Sequence, residues 1–269
     1  MSQNVVITGA ASGLGKALAL RYAGPDVKIC VADINFERGQ EVVDQAKQKG
    51  AEAFYQSCDI TNQKDIDDLA EALKAHWDGQ IDILVNNAGV ATGGGLGYED
   101  IEQWQWVFNI NLFGAIRICR TLVPLMQARS QGTILNIASQ AGLTPAPLMG
   151  SYNASKAATI SFSETMHLEL ARDNIHVCVA CPSFFATNLG ESLRSTQPGL
   201  DKSLGRLLNR PGINADQVAD LIYRGVAAKN FMIVTHKEGR MAFRLKNWLP
   251  LNRYLKMMKE KTKNFGNIK

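Results

Sequence analysis

The chain reads as an α/β protein built on a doubly wound, Rossmann-like parallel sheet of seven strands, with helices on both faces and a single domain. Three observations predict this. Short apolar runs alternate with longer helix-like segments along most of the length. The runs are rich in Val, Ile and Cys and show little polar alternation, as strands covered on both faces do. A glycine-rich turn directly follows the first run and opens the first helical segment, the start of a βαβ unit with right-handed crossovers. The strands are expected at 4–8, 27–32, 52–58, 83–86, 133–138, 175–181 and 231–235, and the helices at 13–22, 36–49, 63–76, 101–128, 152–172 and 215–228. No shift of composition marks a boundary before the end, so residues 1–235 are expected to form one domain and 236–269 a basic amphipathic extension.

Composition fits this class. The 269 residues are 46% hydrophobic, 20% charged and 7% aromatic, which suits one large core and excludes a disordered, collagenous or disulfide-stapled chain. No apolar run approaches the ~18 residues of a membrane span. Val5-Val6-Ile7 lacks the basic flank and length of a signal peptide, and a cytoplasmic protein is expected. The five cysteines are scattered. Cys178 and Cys181 have the C-x-x-C spacing of redox and zinc sites, but on a strand they point to opposite faces and read as core packing. The four histidines have no metal-ligand spacing, and no metal is expected.

The net charge of +4 is too small to suggest nucleic acid, but it is unevenly placed. Residues 236–269 hold ten Lys/Arg against Glu238 and Glu260, a local +8 that leaves the first 235 residues at −4. Leu251, Tyr254, Leu255 and Met258 recur at helical spacing there, with Arg253, Lys256, Lys259 and Lys263 off that stripe. Pro250 separates this segment from a helical stretch carrying Met241, Leu245 and Trp248. A helix pair packed on the domain or on a sister subunit is expected; the alternatives are a peripheral membrane contact and attraction of an acidic ligand such as a coenzyme A ester.

Two segments carry the chemistry. After the first strand comes Thr8-Gly9-Ala10-Ala11-Ser12-Gly13-Leu14-Gly15. Its glycines let the backbone approach an anion, and the helix that begins near Gly13 aims free N–H groups there. Asp33 ends the second strand, near the ~20-residue spacing of an acid that accepts from an adenosine ribose and repels the extra phosphate of NADP. NAD is therefore favoured over NADP, with Lys16 and Arg38 the nearby basic residues. Farther on, Tyr152 and Lys156 stand four apart on a helical segment and share a face. A tyrosine of ordinary pKa ~10 is expected to be shifted toward phenolate by the lysine and so to exchange a proton with an alcohol or ketone.

With these residues in view the chain resembles the short-chain dehydrogenase/reductase family, NAD-preferring branch, from about Asn4 to Thr235. The family's T-G-x-x-x-G-x-G matches Thr8 through Gly15, its adenine-side acid Asp59 in Cys58-Asp59-Ile60-Thr61, and its N-N-A-G matches Asn86-Asn87-Ala88-Gly89. Its active-site asparagine matches Asn111 before Leu112-Phe113-Gly114, and its serine, tyrosine and lysine match Ser139, Tyr152 and Lys156. The resemblance implies that Tyr152 is the general acid/base, that Ser139 polarises the substrate oxygen, and that Lys156 lowers the tyrosine pKa and holds the nicotinamide ribose. Asn111 would support a water that relays protons toward Lys156. The implied cofactor set is Gly9, Ser12, Gly13, Leu14, Gly15, Asp33, Asp59, Ile60, Asn87, Ala88, Gly89, Tyr152, Lys156, Pro182 and Thr187. The family's P-G-x-V-x-T appears here as Pro182-Ser183-Phe184-Phe185-Ala186-Thr187, bulkier at Ser183 and Phe185.

The substrate mouth falls to the apolar segment 143–149 and to a glycine-containing lid over 184–210, which mixes Phe184, Phe185 and Leu189 with Arg194, Lys202, Arg206 and Arg210. An apolar pocket with a basic rim suits a lipophilic secondary alcohol or ketone as small-molecule partner, oxidised or reduced with NAD. The rival functions are an NADPH-dependent 3-oxoacyl thioester reductase and a non-catalytic dinucleotide-binding regulator. The family likeness further implies strand order 3-2-1-4-5-6-7, a ligand where the winding reverses, and a homodimer or homotetramer joined through helices 101–128 and 152–172.

Overall fold

The computed structural model describes residues 3–183, 185, 188–200 and 213–263. Seven parallel strands, β1 (Gln3–Thr8), β2 (Val27–Asp33), β3 (Glu52–Ser57), β4 (Ile83–Asn86), β5 (Gly132–Ile137), β6 (Ile175–Ala180) and β7 (Met232–Ile233), lie in the order β3-β2-β1-β4-β5-β6-β7. The order reverses between β1 and β4, where Val5 pairs with Ile83 on one side and with Ile29 on the other.

Alternation along the strands divides the interior into two cores. Val5, Ile7 and Val31 pack under α1 (Gly13–Tyr22), α2 (Phe36–Gln48) and the later helix Ala215–Ala227. Val6, Cys30, Leu84 and Val177 pack under α3 (Gln63–Trp77) and α5 (Ala115–Gln127). Adjacent residues of one strand thus serve opposite layers, which is why the runs read as continuously apolar. Cys178 belongs to the first core and Cys181 to a separate cluster with Leu143 and Ile160, and all five cysteines are free and buried.

The expected helix 101–128 is interrupted. It forms α4 (Ile101–Phe108), one π turn over Asn109–Gly114, and then α5. The Arg117 guanidinium stabilises the wider turn, donating to the Asn109 side chain at 2.7 Å and its main-chain oxygen at 3.3 Å. Two further helices, α6 (Gln140–Leu143) and α7 (Gly150–Glu169), carry the region between the expected serine and lysine, and α7 begins two residues ahead of Tyr152. After α8 (Ala215–Ala227) and β7, which is shorter than its apolar run, come α9 (Lys237–Trp248) and α10 (Leu251–Thr262). No helix of the described residues is long and apolar enough to cross a membrane.

Candidate active site

The turn after β1 is built for close approach. Gly9 takes φ +63°, and a Cβ there would stand 2.7 Å from Ala88 Cα; on Gly15 it would stand 2.1 Å from the Gly9 carbonyl oxygen. The Asn87 amide clamps the same turn to the end of β4, donating to Thr8 O at 3.0 Å and Gly9 O at 2.9 Å. Asn35, Asn62 and Asp100 cap the helices that follow them, but the Ser12 side chain makes no such bond at the start of α1. First-turn N–H groups left free by their cap residue form an anion site. Ser12, Gly13 and Leu14 line a cleft of about 620 Å³ together with Gly9, Asp33, Asp59, Ile60, Asn87, Ala88 and Gly89. Gly15 packs beneath the turn rather than lining the cleft.

Asp33 is held ready. One carboxylate oxygen accepts from Ala11 N and the other from Asn35 N, each at 2.9 Å, and each oxygen keeps a second lone pair. Asp59 accepts from the Thr61 N–H and hydroxyl, both at 2.8 Å, and so shapes the wall beside Ile60. The cradle, the free helix start and the ribose-side acid fit a dinucleotide.

Ser139, Tyr152, Lys156 and Pro182 line the same cleft. The Ser139 hydroxyl accepts from Ala141 N at 3.1 Å and starts α6, while Gln140 N donates to Pro182 O at 2.8 Å. Tyr152 is buried in an apolar cluster with Ala91, Ala141, Met149 and Leu200. The Lys156 ammonium donates to Ile137 O at 3.0 Å and lies 5.9 Å from the tyrosine ring centre. Burial pushes the phenol's pKa up, with the facing Ser139 partly offsetting it, and brings the lysine down to about 8. Desolvation is the largest influence on both groups, and the ammonium is directed at the Ile137 carbonyl.

Asn111 lies in the π turn, outside the cleft wall. Its side chain accepts from Val90 N at 2.8 Å and donates to Val90 O at 3.0 Å and to Ser155 Oγ at 3.1 Å. It joins the strand-end segment to α7. A Cβ on Gly89 would meet Asn111 Oδ1 at 3.0 Å and Lys156 Nζ at 3.3 Å, so a side chain there would crowd both groups.

Sequence reasoning missed Glu99. The cap residue of α7, Met149, offers no side-chain bond. The buried Glu99 carboxylate takes its place, accepting from Ser151 N at 3.0 Å, Ser151 Oγ at 2.6 Å and Gln103 Nε2 at 3.0 Å. It anchors the first turn of the helix that presents Tyr152. Trp106 was also missed; it lines the cleft with Ile110 and Val90.

Thr187, Phe184, Lys202, Arg206 and Arg210 lie outside the described residues. The described part of the lid is tied across the cleft. Arg194 N donates to Ala91 O at 3.1 Å, Gly93 N to Arg194 O at 3.0 Å, and Gly95 N to the Gln197 side chain at 2.8 Å. Arg194, expected on the basic rim, stacks on Trp106 at 3.6 Å from the ring centre. Arg38 pairs with Glu191 at 2.8 Å.

The sequence pattern of the family described as short chain dehydrogenase matches residues 3–198. The chain belongs to that family. As a short-chain dehydrogenase it is an oxidoreductase. Among its relatives, the CLA biosynthesis dehydrogenase/reductase of Lactiplantibacillus plantarum is 31% identical over 86% of this chain and 87% of its own. The 3-oxoacyl-[acyl-carrier-protein] reductase of Thermotoga maritima is 33% identical over 81% and 87%. A short-chain dehydrogenase/reductase from Burkholderia phymatum, solved in complex with NAD, superposes with a TM-score of 0.86 at 31% identity, covering 91% of this chain and 93% of that one.

Proposed function

We infer that this short-chain dehydrogenase transfers a hydride between NAD(H) and a lipophilic secondary alcohol or ketone. One observation carries the reading: a single cleft holds Asp33 at the end of β2 and the Ser139, Tyr152 and Lys156 group beyond β5. Three strand spacings separate those ends, roughly 14 Å, which suits a two-ribose molecule lying across the switch point. The bound cofactor supplies or accepts the hydride at the substrate carbon.

This chain's residues manage the proton and the geometry. Tyr152 gives its proton to the forming alkoxide in reduction and removes the hydroxyl proton in oxidation. Ser139 donates to the substrate oxygen. Lys156 holds the nicotinamide ribose, and its charge, with the positive charge an oxidised nicotinamide carries, favours the phenolate once the cleft is filled. Asn111 supports a water that relays protons toward Lys156. Pro182, on the cleft wall, would border the nicotinamide, and the family pattern assigns Thr187 to the same part of the cofactor. Asp33 selects NAD, and the Arg38–Glu191 pair supports this because it engages the guanidinium that would otherwise receive a 2′-phosphate.

The enzyme works as a homodimer or homotetramer, for which exposed Ile101, Phe113 and Leu168 on the two long helical segments provide apolar contacts. Its five free thiols suit the reducing cytoplasm. An NAD-linked screen of steroid, retinoid, fatty-alcohol and hydroxyacyl substrates tests the reading. Turnover is expected on at least one lipophilic secondary alcohol, with near-complete loss in Tyr152→Phe and retained NAD binding. Undiminished turnover in that variant would show that Tyr152 is not the acid/base, and NAD binding without turnover of any substrate would favour a regulator that merely binds the dinucleotide. The likeness to the Thermotoga maritima enzyme favours a second reading, a 3-oxoacyl thioester reductase; faster reduction of an acetoacetyl thioester with NADPH than with NADH would select it.

A further inference from the structure

We propose that the C-terminal helices α9 and α10 form a docking face for an anionic lipid bilayer and seat the cleft beside substrates dissolved in it. The docking stands on the surface alone; the delivery of substrate rests on the lipophilic reading above.

The segment 236–263 turns one side to the catalytic centre. The Gly239 carbonyl accepts from Gln140 Nε2 at 3.3 Å, and Lys246 Nζ donates to Leu143 O at 2.5 Å, so α9 is fastened to the residues that follow Ser139. Phe243 packs beside Leu143 and Ile160. The other side is unpartnered in the single chain. Met241 is 62% exposed, Trp248 82%, Leu251 58% and Leu255 53%. Met241 and Trp248 are seven apart and Leu251 and Leu255 four apart, so each pair shares a helix face.

Charge identifies the occupant. Between 236 and 263 there are nine Lys/Arg and two Glu, a net +7 on two short helices. Arg244, Arg253, Lys256, Lys259 and Lys261 are exposed and make no ion pair among the described residues. A two-fold contact with a second copy through this face would bring two such charges together. An exposed tryptophan and leucines on two helices that also expose unpaired basic residues match instead the boundary between anionic headgroups and acyl chains. A nucleic acid would answer the charge and leave the apolar side chains in water.

Flotation of the full chain with vesicles tests this, because it needs no turnover. The protein is expected to float with phosphatidylglycerol-containing vesicles and not with phosphatidylcholine alone, and salt should weaken the association. Trp248→Ser with Leu255→Ser should weaken it about tenfold or more, with melting temperature and oxidation of a water-soluble secondary alcohol unchanged. Lys256→Glu with Lys259→Glu should do the same through charge. Oxidation of a long-chain alcohol supplied in vesicles should fall in both variants. Equal flotation of variants and wild type overturns the docking, as does a concentration-dependent dimer that either variant dissolves or binding to duplex DNA in preference to vesicles. Flotation without any effect on vesicle-borne substrate retains the surface and overturns the delivery.

Discussion

Burial draws Tyr152 and Lys156 toward their neutral forms, and the lysine gives a measurable consequence. Its folded value of about 8 lies below the ordinary 10.5. Below the lower value the ammonium is charged in both folded and unfolded chains, and folding bears the cost of burying it. Between the two values the unfolded chain holds a proton that the folded one has released, so this group's contribution to stability rises with pH. Lys156→Met should therefore lose nearly all activity, yet gain stability over wild type below pH ~8 by on the order of 3 kcal/mol, an advantage that fades toward pH ~10.5. Denaturant titrations of both proteins across that range check it, and a pH-independent difference would refute the lowered value. The pair was legible in the sequence because helical spacing alone puts the two side chains on one face. Glu99 was not, since it meets Ser151 from 52 positions away and reads as an ordinary acid between Tyr98 and Asp100. Glu99→Ala should lower kcat about tenfold through the unanchored first turn of α7, with KM for NAD little changed and stability reduced by about 1–2 kcal/mol. Glu99→Gln, which can still accept from Ser151 N, should recover part of kcat; equal loss in both variants would assign the effect to charge rather than to the cap.

At the scale of elements, the strands were legible because burial on both faces writes them as unbroken apolar runs. The π turn was not: the apolar spacing of 101–128 continues through it, and only the contact of Gly114 with Ile60, where a Cβ would come within 2.4 Å of Ile60 Cδ1, shows how closely the turn is pressed to the cleft. The tail gave its helices but not their orientation. Tyr254 is buried while Leu251 and Leu255 of the same expected stripe face outward. The contact between α1 and the glycine turn is the least tolerant in the site. A methyl on Gly15 would meet the Gly9 carbonyl oxygen at 2.1 Å and Asn87 Nδ2 at 2.5 Å, and neither can retreat without opening the turn. Gly15→Ala should cost about 2–3 kcal/mol of stability and weaken NAD binding more than a surface change of equal destabilisation. A melt with and without NAD separates the two effects, and an unchanged cofactor-induced shift would show that the turn accommodates the methyl.

Across the whole molecule, the proposed selection of NAD rests on two distant parts of the chain meeting at one edge of the cleft. Asp33, fixed by two backbone N–H groups, presents its remaining lone pairs where a ribose diol would lie. Arg38, the nearby cation that could answer a 2′-phosphate, is engaged by Glu191 from the lid, 153 residues away. A ligand that binds only the folded chain stabilises it by RT ln(1 + [L]/Kd), about 2.7 kcal/mol at a hundredfold excess over Kd, which for a chain of this size is a rise of several degrees. NAD should thus raise the melting temperature more than NADP at equal concentration. Asp33→Ala should remove most of the NAD shift, since the ribose hydroxyls lose their acceptor, and leave the NADP shift unchanged or larger, since the repulsion is gone. Adding Glu191→Gln to that variant should release Arg38 and turn the preference toward NADP. The exposed ion pair itself contributes little stability, so the double variant should melt near the single one without cofactor, and any reversal must come from the ligand. Equal shifts by NAD and NADP in the wild type would mean that Asp33 does not meet the ribose and that selection lies elsewhere in the cleft.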